Sequence, residues 1–393
     1  MPHPARLRAI LWTNVNMLET PGFAFTIIAF LLVLGPLVFV HEYGHYIVGR
    51  LCGVKADTFS IGFGRKIIGW TDKRGTEWKI GWLPLGGYVQ FAGDRDAVSQ
   101  PDAEWQQLPA EQKSHTFPAQ PVWKRALIVL AGPVTNFLFA IAIFAAFNMV
   151  YGIPKTPAVI GDVQAQSAAQ EAGLRVGDRI VSIDGRTIDI FNDIQSAVAF
   201  NLGKPAQLEI DRGGQRLDIM LRPRIISESD QFGNKSERAI IGVRSGPPVY
   251  TTVGPLAAIR SSAAQTWDIV RLTGNIMGQF VTGQRSIKDM GGPVKIAKQS
   301  GEMAALGIGT LIFFVAFISI NLGFINLLPL PMLDGGHLVF YAYEAIRRRP
   351  APPQAQEWAF RFGFAAIVTL MLVVTFNDLA SFGLWDGIAR LIG

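Results

Sequence analysis

The sequence predicts a polytopic α-helical membrane protein with about four transmembrane helices, a membrane-associated β-rich segment and a soluble α/β domain. Of its 393 residues, 49% are hydrophobic and only 17% are charged, whereas soluble domains carry roughly 25% charged residues. The apolar residues are concentrated in uncharged runs at 20–40, 126–154 and 303–333. Of the segments between these runs, one alternates polar and apolar residues, and a longer one has the pattern of a soluble domain.

Four helices are predicted to cross the membrane. A helix needs about 20 mostly apolar residues to span the hydrocarbon core. The three long runs satisfy this length, and a fourth run, 362–377, is shorter but continues in apolar residues past Asp378. The predicted helices cover residues 22–48, 124–150, 305–337 and 358–378, and residues 1–21 form an N-terminal segment.

The distribution of basic residues predicts how the chain crosses the membrane. The net charge is +6, with eleven Lys or Arg in residues 49–125 and three consecutive arginines at 347–349. Short cytoplasmic loops carry such an excess of positive charge. We therefore expect both loops in the cytoplasm and residues 155–300 on the opposite side, and we expect no nucleic-acid partner. The single cysteine, Cys52, excludes an intrachain disulfide.

Residues 49–122 are predicted to form a cytoplasmic β-rich segment. Polar and apolar residues alternate in four stretches, which is typical of short antiparallel strands. These stretches are 58–61, 66–70, 77–82 and 87–91, and residues 72–75 form a turn between two of them. Many of their side chains are Trp, Phe and Ile, which suits a sheet lying against the membrane.

Residues 157–224 are predicted to form the soluble α/β domain. A glycine-rich turn precedes an alternating strand that ends in an Asp184-Gly185 turn. The other predicted elements are a helix at 192–200 and strands at 206–211 and 216–222. The pattern weakens in residues 225–304, which we interpret as a linker and amphipathic region.

The first apolar run ends in a His-Glu-x-x-His motif formed by His41, Glu42 and His45. Two histidines four residues apart lie on one face of a helix. A zinc ion can bind both imidazoles there, and the intervening glutamate can act as general base on the attacking water. Ionisable groups in membrane segments are costly and mark functional sites. The motif therefore predicts a zinc-dependent hydrolase.

A catalytic zinc site usually has three protein ligands and one open position. The third apolar run ends in two prolines that break its helix, which at membrane depth is tolerated only inside protein or beside a cavity. Asp334 and His337 follow this break, and both are candidates for the third ligand. Because the first and third runs cross the membrane in the same direction, their C-terminal ends lie at the same level.

Two other classes of protein share some of these features. A multi-span membrane transporter also places charged groups and broken helices inside a bundle, but internal repeats would be expected, and none is visible. A non-catalytic scaffold that uses the soluble domain as an adaptor is the second alternative. It has no need for Glu42 between two metal ligands.

Several motifs together resemble the site-2 protease family of intramembrane zinc metalloproteases, in its bacterial regulator-of-sigma-E protease type. Residues 41–45 resemble the zinc motif in the family's first core span, and residues 326–336 resemble its Asn-x-x-Pro-x-Pro-x-x-Asp-Gly-Gly motif. Residues 132–137 match a signature of its second span, and residues 157–224 resemble its PDZ domain. The resemblance covers most of the chain, although better-known members carry two PDZ domains and this chain shows one.

The resemblance implies roles for individual residues. Asp334, rather than His337, is implied to be the third Zn²⁺ ligand, and Asn326 is implied to hold the substrate carbonyl or its oxyanion. The segment containing Gly62 and Gly64 resembles the family's membrane re-entrant β-hairpin, which pairs with an extended substrate.

The PDZ-like domain carries a further expectation. A PDZ fold binds peptide ends by adding a strand beside a carboxylate-holding loop, and the matching loop is expected at Ile160 and Gly161. Such a domain could recruit substrates, or it could act as a gate that excludes bulky ones.

The resemblance also implies partners and a location. The expected substrate is a single-span membrane protein, such as an anti-sigma factor, already trimmed by an upstream protease on the export side. The expected location is the bacterial inner (plasma) membrane, where the protein is multi-pass and in contact with membrane lipid. The PDZ-like domain is then periplasmic, and the zinc site lies near the cytoplasmic side.

Overall fold

The chain divides into two compact units. The first unit is Met1–Phe144 together with Ser262–Gly393, and the second, Ala145–Ser261, lies between these stretches in the sequence. The computed structural model describes residues 21–94, 105, 107–199, 203–229, 235–286 and 290–381. The predicted N-terminal segment 1–21 lies outside these ranges except for its last residue.

Helices and strands are numbered in chain order. The helices are α1 (Phe23–Leu51), α2 (Ala110–Ser114), α3 (Val122–Tyr151), α4 (Ala168–Glu171), α5 (Phe191–Ala199), α6 (Pro255–Val281), α7 (Pro293–Ala305), α8 (Ile308–Asn326), α9 (Asp334–Arg347) and α10 (Pro353–Ser381). The strands are β1 (Ala56–Thr71), β2 (Glu77–Phe91), β3 (Ile153–Lys155), β4 (Ile160–Val163), β5 (Arg179–Ile183), β6 (Arg186–Thr187), β7 (Ala206–Arg212), β8 (Gln215–Leu221), β9 (Arg224–Ser229), β10 (Lys235–Ile240), β11 (Val243–Ser245) and β12 (Val249–Thr251).

Among the residues that the structure describes, four helices, α1, α3, α8 and α10, are long and apolar enough to cross a membrane. Many of their large apolar side chains are exposed, including Leu32 at 59% and Phe362 at 71%. Such exposure suits a surface that faces lipid, because burial in lipid removes these side chains from water. The chain is therefore a membrane protein, and the prediction of about four transmembrane helices is confirmed by length and composition.

Helix α8 lies against both α1 and α3. Buried residues Val33, Leu37, Leu311 and Val315 form the α1–α8 contact, and Ala140, Phe144, Ala316 and Ile320 form the α3–α8 contact. The three helices thus form one packed group, and functional residues on each of them can meet.

The predicted third span, 305–337, is not continuous. Helix α8 ends at Asn326, and α9 begins only at Asp334. The intervening chain contains Pro329 and Pro331, which lack the N–H group that a continuing helix needs. Met332 has a positive φ of 81°, which reverses the chain before α9. Asp334 therefore lies at the start of a separate helix.

The predicted β-rich segment forms one sheet, but its four short strands are parts of two long strands. Residues 58–61 of β1 pair on one side with residues 77–80 and on the other with residues 87–90, both from β2. The far end of β1, residues 68–71, pairs with residues 77–80. Both strands bend between their paired segments. The sheet thus has the segment order 87–90, 58–61, 77–80, 68–71.

The turn predicted at 72–75 is confirmed. The carboxylate of Asp72 accepts hydrogen bonds from the backbone amides of Arg74 at 2.8 Å and Thr76 at 3.0 Å. The indole of Trp78 donates to the other oxygen of this carboxylate at 3.0 Å. This local network closes the hairpin between β1 and β2, because an aspartate that accepts from amides ahead of it stabilises a tight turn.

The second unit contains a four-stranded antiparallel sheet in the order β6-β5-β7-β8. Strand β4 pairs with β11, β3 with β12, and β9 with β10. The core of this unit includes Ile180, Leu208 and Ile210, each at 0% exposure. It also includes Ala239 and Ile241, so the predicted boundary at residue 224 is wrong. The domain continues at least through β11, because Val243 packs against this core, and β12 follows it and pairs with β3.

The predicted linker and amphipathic region, 225–304, is divided between the two units. Its first part belongs to the second unit, and its remainder forms the long helix α6 and the shorter helix α7. The carboxylate of Asp378 on α10 accepts hydrogen bonds from the backbone amides of Gly292 and Lys295, each at 3.0 Å. These amides lie at the start of α7, where helix N–H groups otherwise lack partners, so α10 holds the beginning of α7.

Candidate metal centre and its cavity

Three side chains that can bind a metal meet in the first unit. The Nε2 atoms of His41 and His45, one turn apart on α1, are 3.3 Å from each other. The carboxylate of Asp334 lies 3.2 Å from Nε2 of His41 and 3.6 Å from Nε2 of His45. All three ligand atoms fall within 4.8 Å of one another. Among the residues described, this is the one such cluster.

The spacing of these atoms fits a zinc ion. Tetrahedral zinc with bonds of about 2.0–2.1 Å holds its ligand atoms about 3.3 Å apart. The three observed distances bracket this value. The Oδ2 atom of Asp334 is buried and accepts no hydrogen bond, which is costly for a carboxylate unless a cation balances it. Two imidazoles and one carboxylate also leave the fourth position open, as in catalytic zinc sites.

Helix α3 holds the imidazole of His45 in place. Its Nδ1–H group donates to the backbone carbonyl of Ile128, 2.9 Å away, which leaves Nε2 directed at the cluster. Gly132 on α3 lies directly beneath both imidazoles, and a Cβ atom there would be 2.2 Å from Nε2 of His45. At Gly44 on α1, a Cβ atom would lie 2.4 Å from Oγ1 of Thr135. The two glycines allow α1 and α3 to approach closely.

His337 lies outside the cluster. It is on α9, one turn after Asp334, and its ring centroid is 5.0 Å from that of Phe360. Of the two candidates for the third ligand, the fold brings Asp334 to the histidine pair. His337 instead forms part of the wall of the adjacent cavity.

A cavity of about 820 Å³ opens beside the cluster. Glu42 lines it and is 9% exposed, with a hydrogen bond from the backbone amide of Val89. This volume lies within the range of small-molecule and peptide-sized pockets, about 300–1,000 Å³. Other lining residues are Val38, Phe63, Gly86, Gly87, Tyr88, Gln90, Phe91, Leu322, Asn326, Met332 and Leu333. The glutamate, the three metal-binding side chains and the open space are thus contiguous.

The predicted substrate-binding residues Gly62 and Gly64 do not line this cavity. Each has a φ of +85°, a conformation that favours glycine, and together they bend β1 so that Phe63 reaches the cavity wall. The strand that borders the cavity is residues 86–91 of β2. Sequence alternation found this strand but did not show that it faces the site.

The predicted carboxylate-holding loop at Ile160 and Gly161 is a strand. The backbone amide of Ile160 donates to the carbonyl of Asp178 at 2.8 Å, and Ile160 pairs with Ser245 of β11. A Cβ atom at Gly161 would lie 2.5 Å from Gly246. The amide of Ile160 is therefore committed within the domain and is not available to a peptide carboxylate. This prediction failed because pairing with β11, far away in sequence, was not visible.

Two asparagines complete the surroundings of His41. The side-chain nitrogen of Asn326, at the end of α8, is 3.3 Å from Nε2 of His41, so this residue lies at the site as predicted. The side-chain amide of Asn136, on α3, lies 3.2 Å from Nδ1 of the same imidazole. Asn136 was part of the second-span signature at 132–137, but the sequence did not indicate its contact.

The sequence model of Peptidase family M50 matches residues 29–370, most of the chain. The chain belongs to this family. The predicted membership of the site-2 protease family, which is family M50, is thereby confirmed. The protein is accordingly a zinc metalloprotease of family M50, and Zn²⁺ is its metal. Neither the transporter nor the scaffold alternative is supported by this membership.

Individual relatives agree with the family. "Putative zinc metalloprotease Atu1380" of Agrobacterium fabrum is 44% identical, with 94% of this chain and 99% of the relative covered. "Metalloprotease MmpA" of Caulobacter vibrioides is 36% identical, with the same two coverages. The correspondence extends over essentially the full length of both relatives.

Among solved structures, the PDZ domain of the SdrC-like protein of Listeria monocytogenes resembles part of this chain. The match covers 24% of this chain and 90% of that domain, with 16% sequence identity and a TM-score of 0.19. A likeness at this level does not establish the fold, so the PDZ-like character of the second unit stays a prediction.

Proposed function

We propose that this M50 metalloprotease hydrolyses peptide bonds within or near the transmembrane segment of single-span membrane proteins. One observation carries the proposal. The His41, His45 and Asp334 cluster and Glu42 lie in a membrane-helix bundle, beside a cavity large enough for an extended peptide. A protease site at this depth acts on chains that are themselves in the membrane.

The proposed chemistry assigns each residue a role. His41, His45 and Asp334 bind zinc, and Glu42 takes a proton from the attacking water as general base. When bound, zinc polarises the scissile carbonyl and lowers the pKa of a water molecule. Glu42 then delivers its proton to the amine nitrogen as the C–N bond breaks. Asn326 donates its amide N–H to the oxyanion that develops on the carbonyl oxygen.

The strand at 86–91 is proposed to hold the substrate. A helical substrate engages its own carbonyls in hydrogen bonds and has to unwind before attack. Among the described residues, 87–90 pair only with 58–61, so the opposite edge of this strand can pair with an extended chain. Strand addition gives the unwound backbone new partners next to Glu42.

The biological setting is proposed from the family resemblance and the charge distribution. The protein lies in the bacterial inner membrane, with the loops at 49–125 and 338–357 in the cytoplasm and the second unit in the periplasm. Its substrate is an anti-sigma factor or similar regulator that an export-side protease has already trimmed. The second unit carries none of the residues assigned to the chemistry, and the family resemblance favours a gate over a recruiting domain.

The substitution Glu42→Gln tests the proposed chemistry. It keeps the three metal-binding side chains but removes the base, so zinc content stays normal while cleavage of a single-span reporter falls about 10²- to 10⁴-fold. Glu302→Gln is the control, because Glu302 forms an exposed pair with Lys298. Near-normal cleavage by Glu42→Gln contradicts the base assignment. Membrane proteins that copurify with the inactive variant are candidate substrates.

A deletion tests the gate. Because the second unit's core extends beyond residue 224, residues 153–251 have to be removed as a whole and replaced by a short linker. A gate predicts that the shortened protein cleaves an untrimmed substrate with a bulky external domain. Slower cleavage of the trimmed substrate, with the untrimmed form still resistant, shows recruitment instead. Zinc content is measured in parallel to show that the site is intact.

A further inference from the structure

We propose that Asn136 is a positioning residue whose side-chain amide oxygen accepts the Nδ1–H of His41 and so directs Nε2 of that imidazole at the metal. This inference rests on the proposed role of His41 as a zinc ligand. It gives a function to a residue that neither the zinc motif nor the third-ligand motif contains.

The contact lies in a fully enclosed environment. Asn136 has 0% exposure, and its side-chain nitrogen, Nδ2, is 3.2 Å from Nδ1 of His41. A neutral imidazole that binds a metal through Nε2 carries its proton on Nδ1, so that position requires an acceptor. In the orientation observed, Oδ1 of Asn136 has no partner. A half-turn of the amide exchanges its nitrogen and oxygen, which places Oδ1 within hydrogen-bond distance of the Nδ1–H group of His41.

Asn136 is itself held from the neighbouring helix. The hydroxyl of Ser319 on α8 donates to the backbone carbonyl of Asn136 at 2.9 Å, and Ser319 is fully buried. A Cβ atom at Gly323 would lie 3.3 Å from Cβ of Asn136, so α8 packs directly on this residue. The same helix carries Asn326 at its end. Helix α8 therefore holds Asn136, the acceptor for His41, and also carries Asn326, the proposed donor to the oxyanion.

The two histidines are supported differently. His45 donates to a backbone carbonyl, that of Ile128, which no substitution removes. His41 depends on a side chain. Removing that side chain leaves Nδ1–H of His41 buried without a partner, or moves the proton to Nε2, where it blocks metal binding. Loss of such an outer partner lowers metal affinity about 10- to 100-fold in zinc sites.

Zinc affinity of the full-length purified protein tests the proposal without reference to cleavage. Competition with a chromogenic chelator gives the zinc dissociation constant of each variant. Asn136→Leu and Asn136→Ala are expected to weaken zinc binding about 10- to 100-fold. Asn136→Asp supplies another acceptor and is expected to retain affinity close to that of the wild type. Asn148→Leu is the control, because Asn148 is also buried on α3 (8% exposed).

The outcomes separate this inference from the proposed function. Wild-type zinc affinity in Asn136→Ala, together with loss of zinc in His41→Ala, overturns the role of Asn136 and leaves the ligand assignment intact. Equal loss in Asn136→Ala and Asn136→Asp also overturns it, because the site then needs the shape of asparagine and not an acceptor. Retention of zinc by His41→Ala contradicts the proposed function itself. Should Asn136→Leu fail to fold, the smaller Asn136→Ala carries the test.

Discussion

The backbone of Gly132 lies directly against the imidazole of His45. A Cβ atom at this position would be 2.2 Å from Nε2 of His45 and 2.9 Å from Cε1 of His41. Both distances are far shorter than a van der Waals contact. The metal-binding face of α1 thus rests on α3 at a point where only glycine fits.

The substitution Gly132→Ala is therefore expected to displace the ligand nitrogen of His45. Zinc content and cleavage should both fall by at least about tenfold, since outer supports of zinc ligands have effects of this size or more. Gly35→Ala is the matched control, because a Cβ atom at Gly35 in α1 meets nothing within 4 Å. Normal zinc binding by Gly132→Ala would show that the imidazole can shift without loss of the metal.

The third ligand can be tested by comparing two substitutions on α9. Asp334→Ala removes an atom that lies 3.2 Å from Nε2 of His41, so zinc affinity and cleavage should both be lost. His337→Ala should retain zinc, because its ring packs against Phe360 outside the cluster. Metal content after gel filtration measures the difference. The reverse pattern would show that His337, and not Asp334, is the third ligand.

An ion pair connects the helix of the third ligand to the helix beneath the histidines. The guanidinium of Arg125 on α3 donates to the carboxylate of Glu344 on α9 at 2.7 Å, and it lies 5.0 Å from the ring centroid of Tyr341. Both charged side chains are mostly buried, at 16% and 17% exposure. The pair therefore helps to hold α9, and with it Asp334, against α3.

Breaking this pair with Glu344→Gln is expected to cost about 1–3 kcal/mol of stability, because it removes the negative charge that balances a mostly buried guanidinium. Thermal unfolding of the solubilised protein measures this loss. The double exchange Arg125→Glu with Glu344→Arg should recover part of it. Glu357→Gln is the control, since its pair with Arg361 is exposed and such pairs contribute little. An unchanged melting temperature in Glu344→Gln would show that the pair does not stabilise the protein.

The second unit contains a buried carboxylate whose ionisation stabilises the fold. Asp178 is 1% exposed and accepts hydrogen bonds from Nε and Nη2 of Arg212, each at 2.8 Å. The backbone amide of Arg175 donates to it at 2.8 Å. Burial opposes ionisation, but these donors outweigh it and hold the pKa of Asp178 below its ordinary value.

Asp178→Asn is expected to lower the stability of the second unit by about 2 kcal/mol at neutral pH. Because the folded-state pKa is below the unfolded one, this stabilisation is complete above about pH 4 and is lost as pH falls through the folded pKa. The difference from wild type should therefore shrink in acid. Hydrogen exchange of the second unit in the full-length protein measures it, with exposed Asp218→Asn as control. A difference that is constant with pH would show that charge is not its cause.

The proposed topology predicts which loops face the cytoplasm. In a Cys52→Ser background, a cysteine placed at residue 73 or residue 349 should react with a reagent that is confined to the cytoplasmic side. A cysteine at residue 213, in the second unit, should react only from the opposite side. The expected cytoplasmic loops are those with the Lys/Arg clusters, at 49–125 and 338–357. Labelling of position 213 from the cytoplasmic side would reverse the orientation.

The local features of the site could be predicted from the sequence, and the non-local ones could not. The spacing of His41 and His45 on one helix face is a local property, so it was sufficient to place the histidine pair. Asp334 and His337 were equally possible from the residues alone, and the choice depends on how the chain turns after α8. The supports of the histidines, Ile128 and Asn136, depend on how α3 packs.

The β-structure shows the same limit. Alternation of polar and apolar residues identified the four paired segments of β1 and β2, because this pattern is a local property of the chain. It could not give their order in the sheet, which is decided by bends at Gly62 and Gly64 and by pairing between distant residues. In the second unit, the pairing of β11 with β4 is likewise non-local. The loop predicted at Ile160 and Gly161 is therefore a strand, and the amide of Ile160 donates a hydrogen bond within the domain.

The insertion of the second unit between the two stretches of the first has a consequence for biosynthesis. The ribosome makes His41, Glu42 and His45 early, whereas Asp334 is made only after the whole second unit. At about 5–20 residues per second, this interval is roughly 15–60 s. The nascent protein lacks its third zinc ligand during that time, even though its first helix is already in the membrane. A molecule that is still being synthesised therefore cannot complete the proposed zinc site, and so cannot cleave a neighbouring membrane segment, until Asp334 has been made.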